Sequence, residues 1–231
     1  MRVPRLVLWD IDHTLIENAG VSKAIYSTAY GLLTGQPARH GARTEGRTDR
    51  EIMASMLAEH GAPARDWPQT MSALERAGRT YRETLSDKGT VLPGVVELIT
   101  ALSHRTGTVQ TVVTGNVRPN AEVKLGALGL AQFLDLDIGG YGSDHSDRYR
   151  LVQVARHRAA EKYGPVYGSL GCAVVVGDTP RDVEAAQLGG AGLVAVASGV
   201  HGADELLAAG AARVFDDLTA TAEVLAYLFS T

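Results

Sequence analysis

Asp10, Asp12 and Thr14 stand at alternate positions directly after the apolar run Leu6-Val7-Leu8-Trp9. The run is short, rich in β-branched and aromatic residues, and bounded by Pro4, which predicts a buried strand. Along an extended chain, residues two apart point the same way, so Asp10 and Asp12 can face one site. Carboxylates that close repel each other unless a cation or a proton intervenes. The pattern therefore points to metal-assisted chemistry with one carboxylate as nucleophile and one as acid/base. Asp and Thr also follow strands as plain turn and capping residues, so the pattern gains weight only from matching parts downstream.

Two such parts occur. Thr111-Val112-Val113-Thr114-Gly115-Asn116 ends a second apolar run in a hydroxyl, a glycine and an amide. Thr114 can donate to an anion's oxygen, and Gly115 permits close backbone approach. Gly177-Asp178-Thr179-Pro180-Arg181-Asp182 follows a third run, Cys172 to Val176. Thr179 suits a helix cap and Pro180 a first helical turn. Asp178 is then a candidate metal ligand, and Asp182 a partner orienting it or its waters. Magnesium, a hard cation that keeps several waters, suits so few carboxylates.

Positioning these groups requires strands that end at one edge. From Val109 onward strand-like and helix-like segments alternate. Strands are expected at 109–114, 134–138 (weaker), 172–176, 193–197 and 213–215. Helices are expected at 119–128, 150–163, 180–188, 203–209 and 219–229. Near-continuous apolar strands alternating with helices predict an α/β parallel sheet covered on both faces. Residues 17–88 differ: they show helical periods at 21–33, 49–60 and 70–85 and no convincing strand. The expected organisation is a core of residues 1–16 and 89–231 and a helical cap of residues 17–88 over the strand ends.

The 231-residue chain has 45% apolar residues, a formal net charge of −4 and a pI near 6.0. That gives no basic footprint for nucleic acid. No stretch approaches the roughly 18 apolar residues of a membrane span. Met1-Arg2-Val3-Pro4 leads straight into the first strand, so no signal peptide and a cytoplasmic location are expected. Cys172, the single cysteine, is expected to be a small buried core residue.

Taken together, Asp-x-Asp-x-Thr, the Thr-Gly-Asn strand end and Gly-Asp-x-x-x-Asp occur in the order that resembles the haloacid dehalogenase-like hydrolase superfamily, in particular its small capped phosphatases of the phosphoglycolate phosphatase and β-phosphoglucomutase type. The resemblance covers essentially the whole chain. It implies a Rossmann-like core, Mg2+, a small phosphorylated substrate and an aspartyl-phosphate intermediate. By motif, Asp10 is the nucleophile. Asp12 is the acid/base, with its backbone carbonyl on the metal. Thr114, with Gly115 and Asn116, binds the phosphoryl group. Asp178 binds the metal and Asp182 supports it. A monomer or homodimer is expected.

The sequence departs from that family twice. The family's usual lysine before the last motif is missing: no Lys lies between Gly126 and Lys162. Arg148 is the favoured replacement, delivered by the loop 143–147; spacing equally permits Arg150. A guanidinium can clamp a phosphoryl oxygen as well. Lys124 ranks below both. His13 stands where many relatives carry Gly, and is expected to touch the substrate or the cap hinge, or to make a local backbone bond. In the cap, Arg47 of Gly46-Arg47-Thr48-Asp49-Arg50 is a candidate partner for an anionic leaving group, with His40 and Tyr81 weaker. Rival activities on this fold are a phosphomutase, a dehalogenase, a phosphonatase using Lys23, or a non-catalytic phosphate-binding protein.

Overall fold

The computed structural model describes residues 4–230. The chain opens with β1 (Arg5–Trp9) and β2 (Ile16–Glu17), followed by α1 (Val21–Thr34), α2 (Asp49–Glu59), α3 (Trp67–Thr80) and α4 (Arg82–Lys88). Next come β3 (Thr90–Val91), α5 (Val95–Ser103), β4 (Thr108–Thr114), α6 (Arg118–Ala127), β5 (Gly140–Tyr141) and α7 (Arg148–Tyr163). The chain closes with β6 (Ala173–Gly177), α8 (Pro180–Gly189), β7 (Gly192–Val196), α9 (Ala203–Ala208), β8 (Val214–Phe215) and α10 (Thr221–Leu228).

Six strands form one sheet in the order β5-β4-β1-β6-β7-β8, and every pairing within it is parallel. β1 is fully buried, as a central strand covered on both faces must be. Its side chains alternate between two apolar clusters. Val7 and Trp9 join α5, α6 and α10 on one face. Leu6 and Leu8 join α7 and α8 on the other. The sheet is thus the expected Rossmann-like core. Cys172 lies buried beside β6, as expected. From β1 the chain runs outward through β4 to β5, then returns to β6 on the far side of β1. That reversal opens a crevice at the C-terminal ends of β1 and β6, where ligands bind in such sheets.

The helices α1 to α4 bury a separate apolar cluster that includes Val21, Ile25, Ile52, Met53, Leu74 and Leu85. Val117, just before α6, joins it from the core. The chain enters and leaves this helical block side by side, because β2 and β3 pair antiparallel, Ile16 opposite Val91. Among the described residues no helix is long and apolar enough to cross a membrane.

Two local expectations need correction. Residues 134–138 are not a strand: two single 3-10 turns span Ala131–Phe133 and Leu136–Ile138. The apolar alternation of Leu134, Leu136 and Ile138 mimics a strand period. Asp135 overrides it by accepting from the Asp137 N–H, a capping contact. The strand beside β4 comes later, with Gly140 opposite Val113. The helix expected over 70–85 is two helices meeting at Tyr81. Gly78, shortly before the break, lies where a Cβ would fall 2.0 Å from Asn120 Oδ1 of α6. Close packing of α3 against α6 demands a glycine there, and glycine weakens the helix locally.

Candidate active site

Asp10 follows β1, Thr114 ends β4 and Asp178 follows β6, so three neighbouring strands deliver them to one crevice. They line a cavity of about 250 Å³ together with Asp12, His13, Asn116 and Arg148. Asp10, Asp178 and Asp182 are all buried, with carboxylate oxygens within 4.8 Å of one another.

Arg148 opens α7 and is buried between two of these carboxylates. Its Nη2 lies 2.7 Å from Asp10 Oδ1 and 2.7 Å from Asp182 Oδ1. Its Nε donates to Asp182 Oδ1 at 2.9 Å. Arg150, one half-turn on, points elsewhere, toward Gln153 and the Tyr149 ring. Asp182 spends its other oxygen on the start of its own helix, accepting from the Thr179 N–H at 3.0 Å and the Thr179 hydroxyl at 2.7 Å. Asp178 Oδ1 accepts from Thr14 Oγ1 at 2.9 Å. Gly199 presses against its other oxygen, where a Cβ would lie 1.9 Å away.

Burial pushes the Asp10 carboxyl up from its ordinary range; Arg148 pulls it down, but Asp182 and Asp12 push it up again. Asp178 is raised well above its ordinary range too, through burial and then the charges of Asp10 and Asp182. Three clustered carboxylates against one guanidinium leave a buried excess of negative charge. A hard divalent cation fits such a set of oxygens. The donors best placed for it are Asp10 and Asp178, because both Asp182 oxygens are engaged by Arg148 and Thr179.

Asp12 sits in a different environment. Lys124 Nζ donates to both its oxygens, at 2.8 and 2.6 Å. Asn18 Nδ2 and Ser22 Oγ donate to Oδ1 at 2.7 and 3.2 Å. Asn116 Nδ2 donates to Oδ2 at 2.9 Å. Burial alone would raise its carboxyl, but Lys124 and these hydrogen bonds hold it down to about 2.

His13 takes a left-handed backbone, φ 62°, which glycine adopts freely and other residues seldom do. Its Nδ1 is 3.1 Å from Glu17, and its carbonyl accepts from Ser198 Oγ at 2.6 Å. Arg47 lines the cavity, but its guanidinium donates to the Glu51 carbonyl and to Ser55 Oγ. Gly115 lies where a Cβ would fall 2.2 Å from the Arg47 carbonyl oxygen, and its own carbonyl accepts from the Asp49 N–H at 2.8 Å. His40 packs on His60 and Tyr81 on Thr28, both away from the cavity. Lys23 lines it.

Thr14, the hydroxyl of the first motif, finds its place on Asp178, and residues outside the motifs complete the site: Asn18 and Ser22 on Asp12, and Val200 and His201 at the cavity wall. Lys124 carried a readable signal. It lies three residues after Ala121 and one before Leu125, on the buried face of α6, where a charge needs a partner.

The haloacid dehalogenase-like hydrolase model matches residues 7–187. The chain belongs to this family. Hydrolase chemistry is thereby established at the level of the family. "Probable phosphatase IndB" of Dickeya dadantii (strain 3937) is 27% identical over 208 residues, covering 88% of this chain and 86% of that protein. A hydrolase from Pseudomonas syringae superposes with a TM-score of 0.69 at 23% identity, covering 97% of this chain and 98% of its own. CbbY from Rhodobacter sphaeroides, in complex with phosphate, superposes with a TM-score of 0.68 at 17% identity, covering 94% of this chain and 95% of its own. At those identities the two structures show a shared fold.

Proposed function

We propose that this family member is a Mg2+-dependent phosphatase that hydrolyses a small-molecule phosphate monoester through an aspartyl-phosphate at Asp10. The observation that carries the proposal is the pairing of Asp10 with Arg148 beside Asp178 at one strand edge. A nucleophilic carboxylate, a phosphoryl clamp and a metal-binding carboxylate are then within one small cavity.

In this scheme Asp10, the Asp12 carbonyl and Asp178 would hold Mg2+, which would supply positive charge against the phosphate oxygens. Asp10 attacks phosphorus in line with the leaving oxygen. Thr114 and Arg148 hold the non-bridging oxygens; positioning and charge stabilisation do most of the work in phosphoryl transfer. Asp12, ionised beside Lys124 in the free site, takes up a proton as the negatively charged substrate enters and passes it to the leaving alcohol. It then takes one from the water that hydrolyses the phosphoaspartate. Asp182 keeps the Arg148 guanidinium aimed at Asp10.

Residues 17–88 act as the cap, and residues 1–16 with 89–231 as the core. Hydrogen bonding of Asp49 to Gly115 and Val117 and the Arg181–Glu51 ion pair hold cap to core. Substrate choice then falls to the cavity wall that the cap supplies. His13 lines the cavity from the core side despite its left-handed backbone, and Arg47 shapes the cap's wall through its backbone.

Phosphate release from p-nitrophenyl phosphate, with Mg2+ and with EDTA, tests the proposal. The expected result is turnover that EDTA abolishes. Equal turnover in EDTA, or none with Mg2+ across a panel of sugar phosphates, phosphoglycolate and nucleotides, contradicts it.

A further inference from the structure

Lys124 is the most deeply buried ammonium near the site, with a side chain 1% exposed. An ammonium taken out of water needs close acceptors. All four of its acceptors belong to the site: the two Asp12 oxygens, Ser22 Oγ at 2.8 Å and Asn116 Oδ1 at 2.7 Å. Arg148, by contrast, meets Asp10 and Asp182. The two cations thus divide the two carboxylates of the first motif between them.

The contact with Asn116 reaches further. With Lys124 donating to Oδ1, the amide must turn Nδ2 toward Asp12 and Thr114. It donates there at 2.9 and 2.8 Å. Thr114 Oγ1 also accepts from the Asn116 backbone N–H at 3.3 Å. A hydroxyl that already accepts keeps its own proton for another partner, and Thr114 lines the cavity.

We propose that Lys124 is the positioning residue for Asp12, fixing that carboxylate directly and, through Asn116, the donor direction of Thr114. It touches no reacting atom itself. The proposal rests on the phosphatase reading, in which Asp12 transfers protons.

A double-mutant cycle in kcat and KM, on p-nitrophenyl phosphate with Mg2+, tests it using wild type, Asp12→Asn, Lys124→Met and the double variant. A proton-transfer group contributes about 10²- to 10⁴-fold, so Asp12→Asn should lower kcat by about 10²-fold or more. Lys124→Met should lower kcat by roughly ten- to a hundredfold with KM changed less than about threefold. If Lys124 acts through Asp12, the double variant should match Asp12→Asn within about threefold, because coupled losses do not multiply. Multiplying losses, or a wild-type kcat in Lys124→Met, overturns the inference. Should Lys124→Met alone fail to fold, Asp12→Asn against the double variant decides, since the double variant leaves no orphaned charge. A further tenfold loss there contradicts the proposal, and equality supports it. A wild-type protein inactive with Mg2+ would instead sink the phosphatase reading itself.

Discussion

Arg148 is gripped from two sides, by Asp10 ahead of it and Asp182 beside it. The carboxylate of Asp182 thus stabilises the guanidinium and the first turn of α8 at once. A lysine keeps the charge but not the planar fork that reaches both carboxylates. Arg148→Lys is expected to lower kcat/KM by about ten- to a hundredfold in steady-state phosphatase assays; an unchanged value would remove Arg148 from the phosphoryl clamp. At this scale the sequence was legible where strand ends coincide with carboxylates: Asp10, Asp12 and Asp178 meet because their strands are neighbours. Spacing alone left Arg148 and Arg150 equal, since both lie in the first turn of one helix. Only the fold shows that Asp182 stands opposite the first and not the second. The partnership of Lys124 with Asp12 spans 112 residues of chain, a separation that no local pattern encodes.

Elements decide how the helical block meets the core. The loop into α2 lies on the loop after β4, with Gly115 under the Arg47 carbonyl. A methyl group has no room there, and overpacking of this kind costs about 1–3 kcal/mol. Gly115→Ala should therefore lower stability in urea by about that much and raise KM by displacing the block from the strand ends. Wild-type stability and KM would show that the two loops part freely. The Arg181–Glu51 pair at the same seam is half exposed on each side and should matter less, in keeping with exposed ion pairs. Outside 134–141, strands and helices from 108 onward follow their apolar periods closely. The failures at 134–138 and at Tyr81 have local causes: a carboxylate that caps a turn, and a glycine required by the neighbouring helix.

The whole molecule carries a buried surplus of carboxylates. Burial pushes Asp49 up to about 6, against its bonds from Tyr26 and Val117, and Asp10 and Asp178 also lie above their ordinary range. Each of these groups binds its proton more tightly folded than unfolded. Stability is then greatest below the unfolded value, near 4, and falls as pH rises through the folded values. In EDTA, Tm should fall between about pH 4.5 and pH 7, and Mg2+ at pH 7 should recover part of the loss by binding the folded state. A Tm that rises over this window in EDTA, or ignores Mg2+, would contradict the charge surplus. Asp12 opposes this trend only below about pH 4, because Lys124 holds it down to about 2.

Covalent capture of the phosphoryl group on Asp10 tests the central claim most directly. The protein is mixed with p-nitrophenyl phosphate and Mg2+, quenched in acid during turnover, digested and mapped by mass spectrometry. A phosphoryl adduct on the peptide bearing Asp10, strengthened in Asp12→Asn and absent from Asp10→Asn, is the predicted result. Sustained phosphate release by Asp10→Asn, or an adduct on any other residue, would contradict it.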